Sequence, residues 1–365
     1  MYAELFSLNY SKTEHWCKLC FFKLNVMNTM PAVDLFAIGN ALIDQEFKVS
    51  DEFLSQQDLQ KGTMLLIDAE TKTRLAASLQ ATQQYKGQSS GGSAANTAVG
   101  FSALGGSAFY ACRVGGDELG RIYLDGLNQA NIQTSATSIS EGVTGICTVM
   151  ISDDSERTMQ TFLGCTADLS EQQIDFAPLN QANWLYIEGY LSTSATARIA
   201  VQQARALAKQ HNVKIALTLS DLAMVQYARE GLNEFIGDGV DLIFCNEQEA
   251  MMYTDTTTVA DALLKLKQLS QHVVITLGAN GALVATADQQ IRVPGRVVEA
   301  LDTTGAGDAF AGAYLYALNA GQDIEAAARL AVLISSEVVA QYGPRLAVED
   351  YAKLLKNFQN EQACA

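Results

Sequence analysis

From residue 32 onward, short apolar runs rich in β-branched and aromatic residues alternate with Ala-rich stretches of helical period, and this alternation constrains the fold more than any other feature. A strand buried on both faces reads as a continuous apolar run, and a helix laid over it repeats its apolar residues every 3.6 positions. The two in alternation build a parallel sheet covered by helices. The runs predict strands at residues 35–39, 184–188, 214–219, 242–245, 273–277 and 282–285, with helices at 93–104, 195–210, 259–270, 306–319 and 324–341. The expected fold is α/β, a doubly wound, mainly parallel sheet flanked by helices. Residues 45–66 and 142–163 break the pattern, because runs such as 144–151 and 158–162 read as strands with no helix between them. They predict a small antiparallel β lid, placed to close over ligands bound beyond the carboxyl ends of the main strands.

Charge narrows the function. Lys and Arg total 24 against 40 Asp and Glu, a formal charge of −16. Such a surface repels phosphate backbones, which argues against nucleic-acid binding, yet a local cradle of backbone N–H groups still accepts a small phosphorylated ligand. The apolar runs fall far short of the ~20 residues that cross a bilayer, so no membrane partner is expected. Seven cysteines are scattered along the chain, and Cys112, Cys147, Cys165 and Cys245 lie in apolar stretches. They read as buried thiols of a reducing compartment, hence a cytoplasmic protein. Residues 1–30 form an aperiodic segment interrupted by Lys12, Lys18 and Lys23, without the pattern of a secretory signal, and His15, Cys17 and Cys20 lack the second ligand pair of a zinc finger. They read as an irregular extension, with the folded domain spanning 31–365.

Two small-residue stretches carry the chemistry. Asp302-Thr303-Thr304-Gly305-Ala306-Gly307-Asp308 stands directly before an apolar helix, so several backbone N–H groups converge at a helix N-terminus where the dipole favours an anion. Asp308 there can take the proton of a hydroxyl that attacks a phosphoryl group, or it can simply cap the helix after a Gly-rich turn. Gly91-Gly92-Ser93-Ala94-Ala95-Asn96 likewise opens a helix, its glycines permitting close approach of a ligand and its Asn96 amide able to donate to and accept from sugar hydroxyls. The plain alternative is a loop before a tightly packed Ala-rich helix.

Taken in this order, the two stretches resemble the signature patterns of the ribokinase-like (PfkB) family of carbohydrate and nucleoside kinases. The resemblance runs from about Asp34 to Arg345 and includes Gly39-Asn40-Ala41-Leu42-Ile43-Asp44, Asn246-Glu247-Gln248-Glu249 and Thr276-Leu277-Gly278-Ala279-Asn280-Gly281. It implies an ATP-dependent kinase that transfers the γ-phosphoryl group to a hydroxymethyl group, with Asp308 as general base and an anion hole at Gly305, Ala306 and Gly307. The acceptor would meet Asp44, Gly91, Gly92 and Asn96, and the likeness to nucleoside kinases would have Arg157 swing onto the transferring phosphate. ATP would meet Asn246, Thr276, Gly278 and Gly281, while Glu249 would orient a Mg²⁺-bound water. Asp302 and Thr304 resemble positions that hold a monovalent cation, K⁺, in some members. Each motif keeps a structural alternative: a capping box for Asn246 and Glu249, a hairpin turn for 276–281, an exposed strand residue for Arg157.

Other classes fit less well. No Gly-x-Gly-x-x-Gly follows the first strand and no Gly-x-x-x-x-Gly-Lys-Ser/Thr occurs, which sets aside dinucleotide oxidoreductases and P-loop enzymes. A non-catalytic ligand sensor would have lost the base, and Asp308 is present. The strand end Gly39-Asn40-x-Leu42-x-Asp44 looks more like the nucleoside kinases than the ribokinases, so an adenosine-like acceptor is expected, with a free sugar such as ribose, fructose or a keto-deoxy sugar acid as the alternative. Either a monomer or a homodimer paired through lid edges suits this reading.

Overall fold

Alternate residues of the central strands serve two different cores. Leu35 and Ala37 pack into one apolar layer and Phe36 and Ile38 into the other, all fully buried. This follows from the twofold period of a strand covered on both faces. The computed structural model describes residues 33–154 and 156–363. The expected extension at residues 1–30 lies outside them, and residues from Val33 onward cluster as one unit.

The main sheet has nine strands in the spatial order Gln290–Val293, Ala282–Ala285, Ser270–Thr276, Val240–Asn246, Lys214–Thr218, Trp184–Glu188, Leu35–Ile38, Ala108–Ala111 and Ile132–Gln133. The pairs from Ser270–Thr276 to Ile132–Gln133 are parallel, and the first two strands in that order join antiparallel. The doubly wound, mainly parallel expectation is met. The chain runs outward from Leu35–Ile38 to Ala108–Ala111, then returns to lay Trp184–Glu188 on the other side of the first strand. A crevice must open at that reversal, beyond the carboxyl ends of these two strands.

One helical layer holds Ser93–Ala103, Ala306–Asn319, Ile324–Val339 and Val348–Ala363; the other holds Ala195–Gln210, Arg229–Ile236 and Val259–Leu266. Two of these cross at unusually close range, because Gly312 brings its backbone against Thr97: a Cβ there would sit 2.5 Å from the Thr97 carbonyl oxygen. Among the described residues no helix is long and apolar enough to cross a membrane.

The lid differs from its expectation. It is a five-stranded mixed sheet in the order Met64–Leu66, Arg157–Phe162, Gly145–Ile151, Leu42–Lys48, Tyr85–Gly91. Leu42–Lys48 runs parallel to Gly145–Ile151, and Arg157–Phe162 parallel to Met64–Leu66, so the sheet is not purely antiparallel. A helix, Asp51–Gln56, does interrupt the first lid segment, its Ser50 hydroxyl accepting from the Phe53 N–H. The Tyr85–Gly91 strand was not legible because it is polar and lies on an edge, where one face and one row of backbone groups meet solvent. The predicted helix at 259–270 ends at Leu266, since Ser270 already pairs with Val240 in the next strand.

Candidate active site

The crevice at the strand reversal is organised by one buried acid. Glu188 ends its strand 1 % exposed, and its carboxylate accepts from the Asn40 backbone N–H (3.2 Å), the Asn40 side-chain amide (3.1 Å) and the Ala94 backbone N–H (2.8 Å). The Tyr110 hydroxyl donates to the Asn40 carbonyl at 2.8 Å. These bonds lock the turn after the first strand to the start of the Ser93–Ala103 helix. Burial pushes Glu188 up to about 7 despite the N–H donors, which favour its charged form. Sequence reasoning missed this residue, although an acid closing the otherwise apolar run 184–187 was a signal.

Beyond that turn, the lid strand Leu42–Lys48 carries Asp44 into a cleft of about 480 Å³. Gly91 lies on the neighbouring strand, where a Cβ would overlap the Asp44 carboxylate and push it from its place. Burial pushes Asp44 up to about 7; the Arg345 charge opposes that shift and the neighbouring Glu46 adds to it. The rest of this wall is mostly apolar, built from Leu42, Met64, Leu66, Cys147, Met159 and Leu163, with Thr161 turned to the Cys147 thiol.

Asp308 lies across the cleft, in the first turn of the Ala306–Asn319 helix. The Ser93 hydroxyl donates to Oδ1 at 2.6 Å and the Asn96 amide to Oδ2 at 2.9 Å. Burial pushes its carboxyl up to about 6, while those two donors and the Arg345 charge hold it down. Gly305, in the left-handed region at φ 74°, caps this helix with no side-chain hydrogen bond, so no side chain competes for the N-terminal N–H groups. A Cβ on Gly307 would meet only open space, which leaves the helix start accessible from the cleft.

Arg157 and Asp302 depart from their expectations. Arg157 is neither exposed nor a wall of the cleft; it is 9 % exposed and ion-paired with Asp302, with Glu46 at 3.8 Å. Asp302 also accepts from the Thr304 N–H at 2.9 Å and the Gly343 N–H at 2.7 Å. Its charge is thereby neutralised by a fixed guanidinium, so a K⁺ beside Asp302 and Thr304 would have to compete with Arg157. Their observed work is to pin the cradle loop to the lid strand and to the segment after the Ile324–Val339 helix.

A second cavity of about 470 Å³ meets the first at Thr276, Thr303, Gly307 and Phe310. Gly278 and Gly281 lie on its rim, while Val297, Val298, Val332 and Val339 make it largely apolar. The 276–281 segment is indeed a hairpin turn between antiparallel strands, and it lines a cavity as well. Asn246 and Glu249 likewise form a capping box: the Glu249 N–H donates to Asn246 Oδ1 at 2.8 Å, and the Asn246 backbone N–H donates back to Glu249 Oε2 at 3.0 Å. Both residues also face the first cleft, and burial pushes Glu249 up to about 7.

The other residue missed from sequence is Arg345, whose Nε donates to Asn96 Oδ1 at 2.7 Å. The one available signal was a Gly-Pro-Arg turn in a chain with only four prolines.

Known proteins agree with this architecture. Residues 62–350 match the pfkB family of carbohydrate kinases. The adenosine kinase of Saccharomyces cerevisiae is 25% identical over 330 residues, covering 85% of this chain and 96% of that one. The ribokinase of Mus musculus is 28% identical over 243 residues, covering 62% and 71%. The crystal structure of adenosine kinase from Sinorhizobium meliloti superposes with a TM-score of 0.82 at 32% identity, over 89% of this chain and 99% of that one. With its two cavities meeting at a helix start free of side-chain caps and an acid on the wall of the first, this chain is a phosphotransferase with an alcohol acceptor, a member of the pfkB carbohydrate kinase family.

Proposed function

We propose that the protein transfers the γ-phosphoryl group of ATP to the hydroxymethyl group of a nucleoside, adenosine or a close relative, with Asp308 as general base. One observation carries the reading: Asp308 is held by Ser93 and Asn96 in an acceptor-sized cleft, next to Gly307, where that cleft meets a second, apolar cavity at a helix start free of side-chain caps. The second cavity suits the nucleoside part of ATP, with Thr276, Gly278 and Gly281 toward the phosphates and the Gly305–Gly307 N–H groups toward the γ-phosphoryl. The acceptor oxygen bonds to phosphorus as the bond from phosphorus to the β-bridging oxygen breaks, and its proton passes to Asp308. A carboxyl near 6 is mostly ionised at neutral pH and so is ready to take that proton.

Mg²⁺ travelling with ATP supplies charge neutralisation at the β- and γ-phosphates. Glu249 fits the role of orienting one of its waters: each carboxylate oxygen accepts a single bond from Asn246, which leaves lone pairs toward the cleft.

A nucleoside is favoured over a free sugar because Asp44 and Asn96 serve the ribose hydroxyls while the Leu, Met and Cys wall beside them, broken by Thr161, offers mainly apolar contact, wasted on a sugar and matched to a base. The long match to adenosine kinases points the same way. Among the described residues, Cys112, Cys147, Cys165 and Cys245 are buried, free thiols, which suits a reducing cytoplasm. The test is an acceptor panel with ATP and Mg²⁺. Adenosine should give the highest kcat/KM; ribose or fructose outperforming every nucleoside would replace this acceptor assignment.

A further inference from the structure

The segment joining the Ile324–Val339 and Val348–Ala363 helices is clamped onto the cradle at several points. The Gly343 N–H donates to Asp302 at 2.7 Å, Pro344 packs so tightly on Gly305 that a Cβ there would lie 2.5 Å from its carbonyl oxygen, and Gln341 donates to the Arg345 carbonyl at 2.6 Å. The next side chain, Arg345, is therefore aimed with little freedom. Its Nε donates to Asn96 Oδ1 at 2.7 Å, and Asn96 in turn donates to Asp308 Oδ2 at 2.9 Å.

An amide caught between a guanidinium and a carboxylate has one favourable orientation. With Oδ1 held by Arg345, the Asn96 amide group must present its N–H to Asp308; flipped, it would set oxygen against carboxylate and N–H against guanidinium. We infer that Arg345 is a positioning residue for phosphoryl transfer, which fixes the Asn96 amide so that Asp308 is met by donors on both oxygens and stays ionised and aimed at the acceptor hydroxyl. The inference rests on the reading of Asp308 as base.

The surroundings support it. Arg345 makes no ion pair within 4.0 Å among the described residues, and its Nη2 is buried without a hydrogen-bond partner, so its charge is not cancelled by a private counter-ion. The charge instead bears on both Asp44 and Asp308. Without Arg345 the amide could turn, and a protonated Asp308 would then donate to Asn96 Oδ1, which favours the acid form. The other titratable groups around Asp308 are Asp44 from the lid, Tyr186, Glu188 and Tyr190 at the end of the central strand, and Tyr351 from the last helix. Glu249 also lines the cleft and is raised to about 7, but Arg345 is not among the groups that shift it. Glu188 is engaged by three N–H donors and Asp44 by the acceptor at saturation, so the displacement of the acidic limb in the Arg345 variants reports chiefly on Asp308.

The experiment is a pH profile of kcat, at saturating ATP and acceptor, for the wild type, Arg345→Met, Arg345→Lys and Asp308→Asn, with melting temperatures alongside. Arg345→Met should shift the acidic limb up by about one unit, so that kcat falls about twofold at pH 7 and nearly tenfold at about pH 5 and recovers toward wild type near pH 9, with KM for ATP changed less than about twofold. Arg345→Lys keeps the charge but not the planar fork, so its limb should fall between the two. Should the Met variant not fold, the Lys profile decides alone: a limb shifted upward supports the role, and an unmoved one overturns it. A loss equal at every pH in either variant makes Arg345 merely structural. Near-wild-type turnover of Asp308→Asn would instead remove the base assignment, a result distinct from an unmoved Arg345 limb beside an inactive Asp308→Asn.

Discussion

Gly312 lies against Thr97 with no room for a side chain, a Cβ at 2.5 Å from the carbonyl oxygen and 3.1 Å from the Phe101 nitrogen. This crossing lets the Ala306–Asn319 helix bring Asp308 within hydrogen-bond reach of Ser93 and Asn96 on the facing helix. Two effects compete in Gly312→Ala. Helix propensity favours Ala by about 1 kcal/mol, whereas forcing a methyl group against backbone costs about 1–3 kcal/mol. The steric cost should win, because neither neighbour is a flexible side-chain end. Calorimetry should show a lower melting temperature, and kcat should fall with it as the helices part. A raised melting temperature would mean that the helices separate without penalty.

Asp308→Asn should keep the fold and the affinity for ATP while lowering kcat by about 10² or more, the scale of a lost general base. Asn preserves shape: its carbonyl can accept from the Asn96 amide while its NH2 donates to the Ser93 hydroxyl oxygen, so the structure tolerates it. Single-turnover kinetics with a nucleotide-binding assay separates the effects, and weakened ATP binding with unchanged chemistry would relocate Asp308 to the nucleotide.

Asp44→Ala should act on the acceptor and leave ATP alone. Its carboxylate faces Gly91 in the lid-side cleft, away from the cavity lined by Gly278 and Gly281. KM for the acceptor should rise at least tenfold, since hydrogen bonds to a charged group contribute about 1.5–3 kcal/mol. If KM for ATP rose instead, the two cavities would have exchanged roles.

Stability should fall as pH rises from about 4.5 to 7 in the ligand-free protein. Burial raises Asp44, Glu188 and Glu249 to about 7 and Asp308 to about 6. In that window the folded state therefore holds protons that the unfolded state has released, and the stability they contribute at low pH is lost as pH climbs through their folded values. His272, lowered to about 4 by burial, works in the opposite sense between about 4 and 6.5, one group against four. Asp34, Asp117 and Asp154 are lowered, so they act below this window. Glu249→Gln is the clean probe, because Gln also completes a capping box. Its melting temperature should fall less steeply with pH than that of the wild type; parallel curves would show that Glu249 does not titrate there.

The fold was legible where periodicity was strong. The strand Trp184–Glu188 and the helices Ala195–Gln210 and Ala306–Asn319 stand at their predicted limits, because residues buried on one or both faces leave a repeat in the sequence. Asp308 and Asn96 stood out because small residues in a row leave a local trace, and Asp44 because the 39–44 segment resembles nucleoside kinases. What stayed hidden depends on contacts between distant segments. Arg345 reaches Asn96 across 249 residues, and nothing near either residue announces the other. Arg157 sits on a strand whose neighbours give no hint that Asp302 will bury its charge. Polar strands such as Tyr85–Gly91 hide for a different reason: at an edge, strand residues need not be apolar.

The lid yields the last prediction. Leu66 lines the acceptor cleft yet is 51% exposed, on an edge strand held only by Arg157–Phe162. An apolar wall this open is covered either by the acceptor or by movement of the strand over it. On the other side, the pair of Arg157 with Asp302 ties the inner lid strand to the cradle, so any closing motion must concentrate at the outer edge. Hydrogen exchange should then show the amides of Met64–Leu66 gaining protection only when adenosine is present, while Gly145–Ile151, in the middle of the lid sheet, changes little. ATP hydrolysis without acceptor should be slow, because water alone does not bring the edge down. Equal protection of Met64–Leu66 with and without adenosine would make the lid a fixed wall, and exclusion of water would then depend on the acceptor filling the cleft.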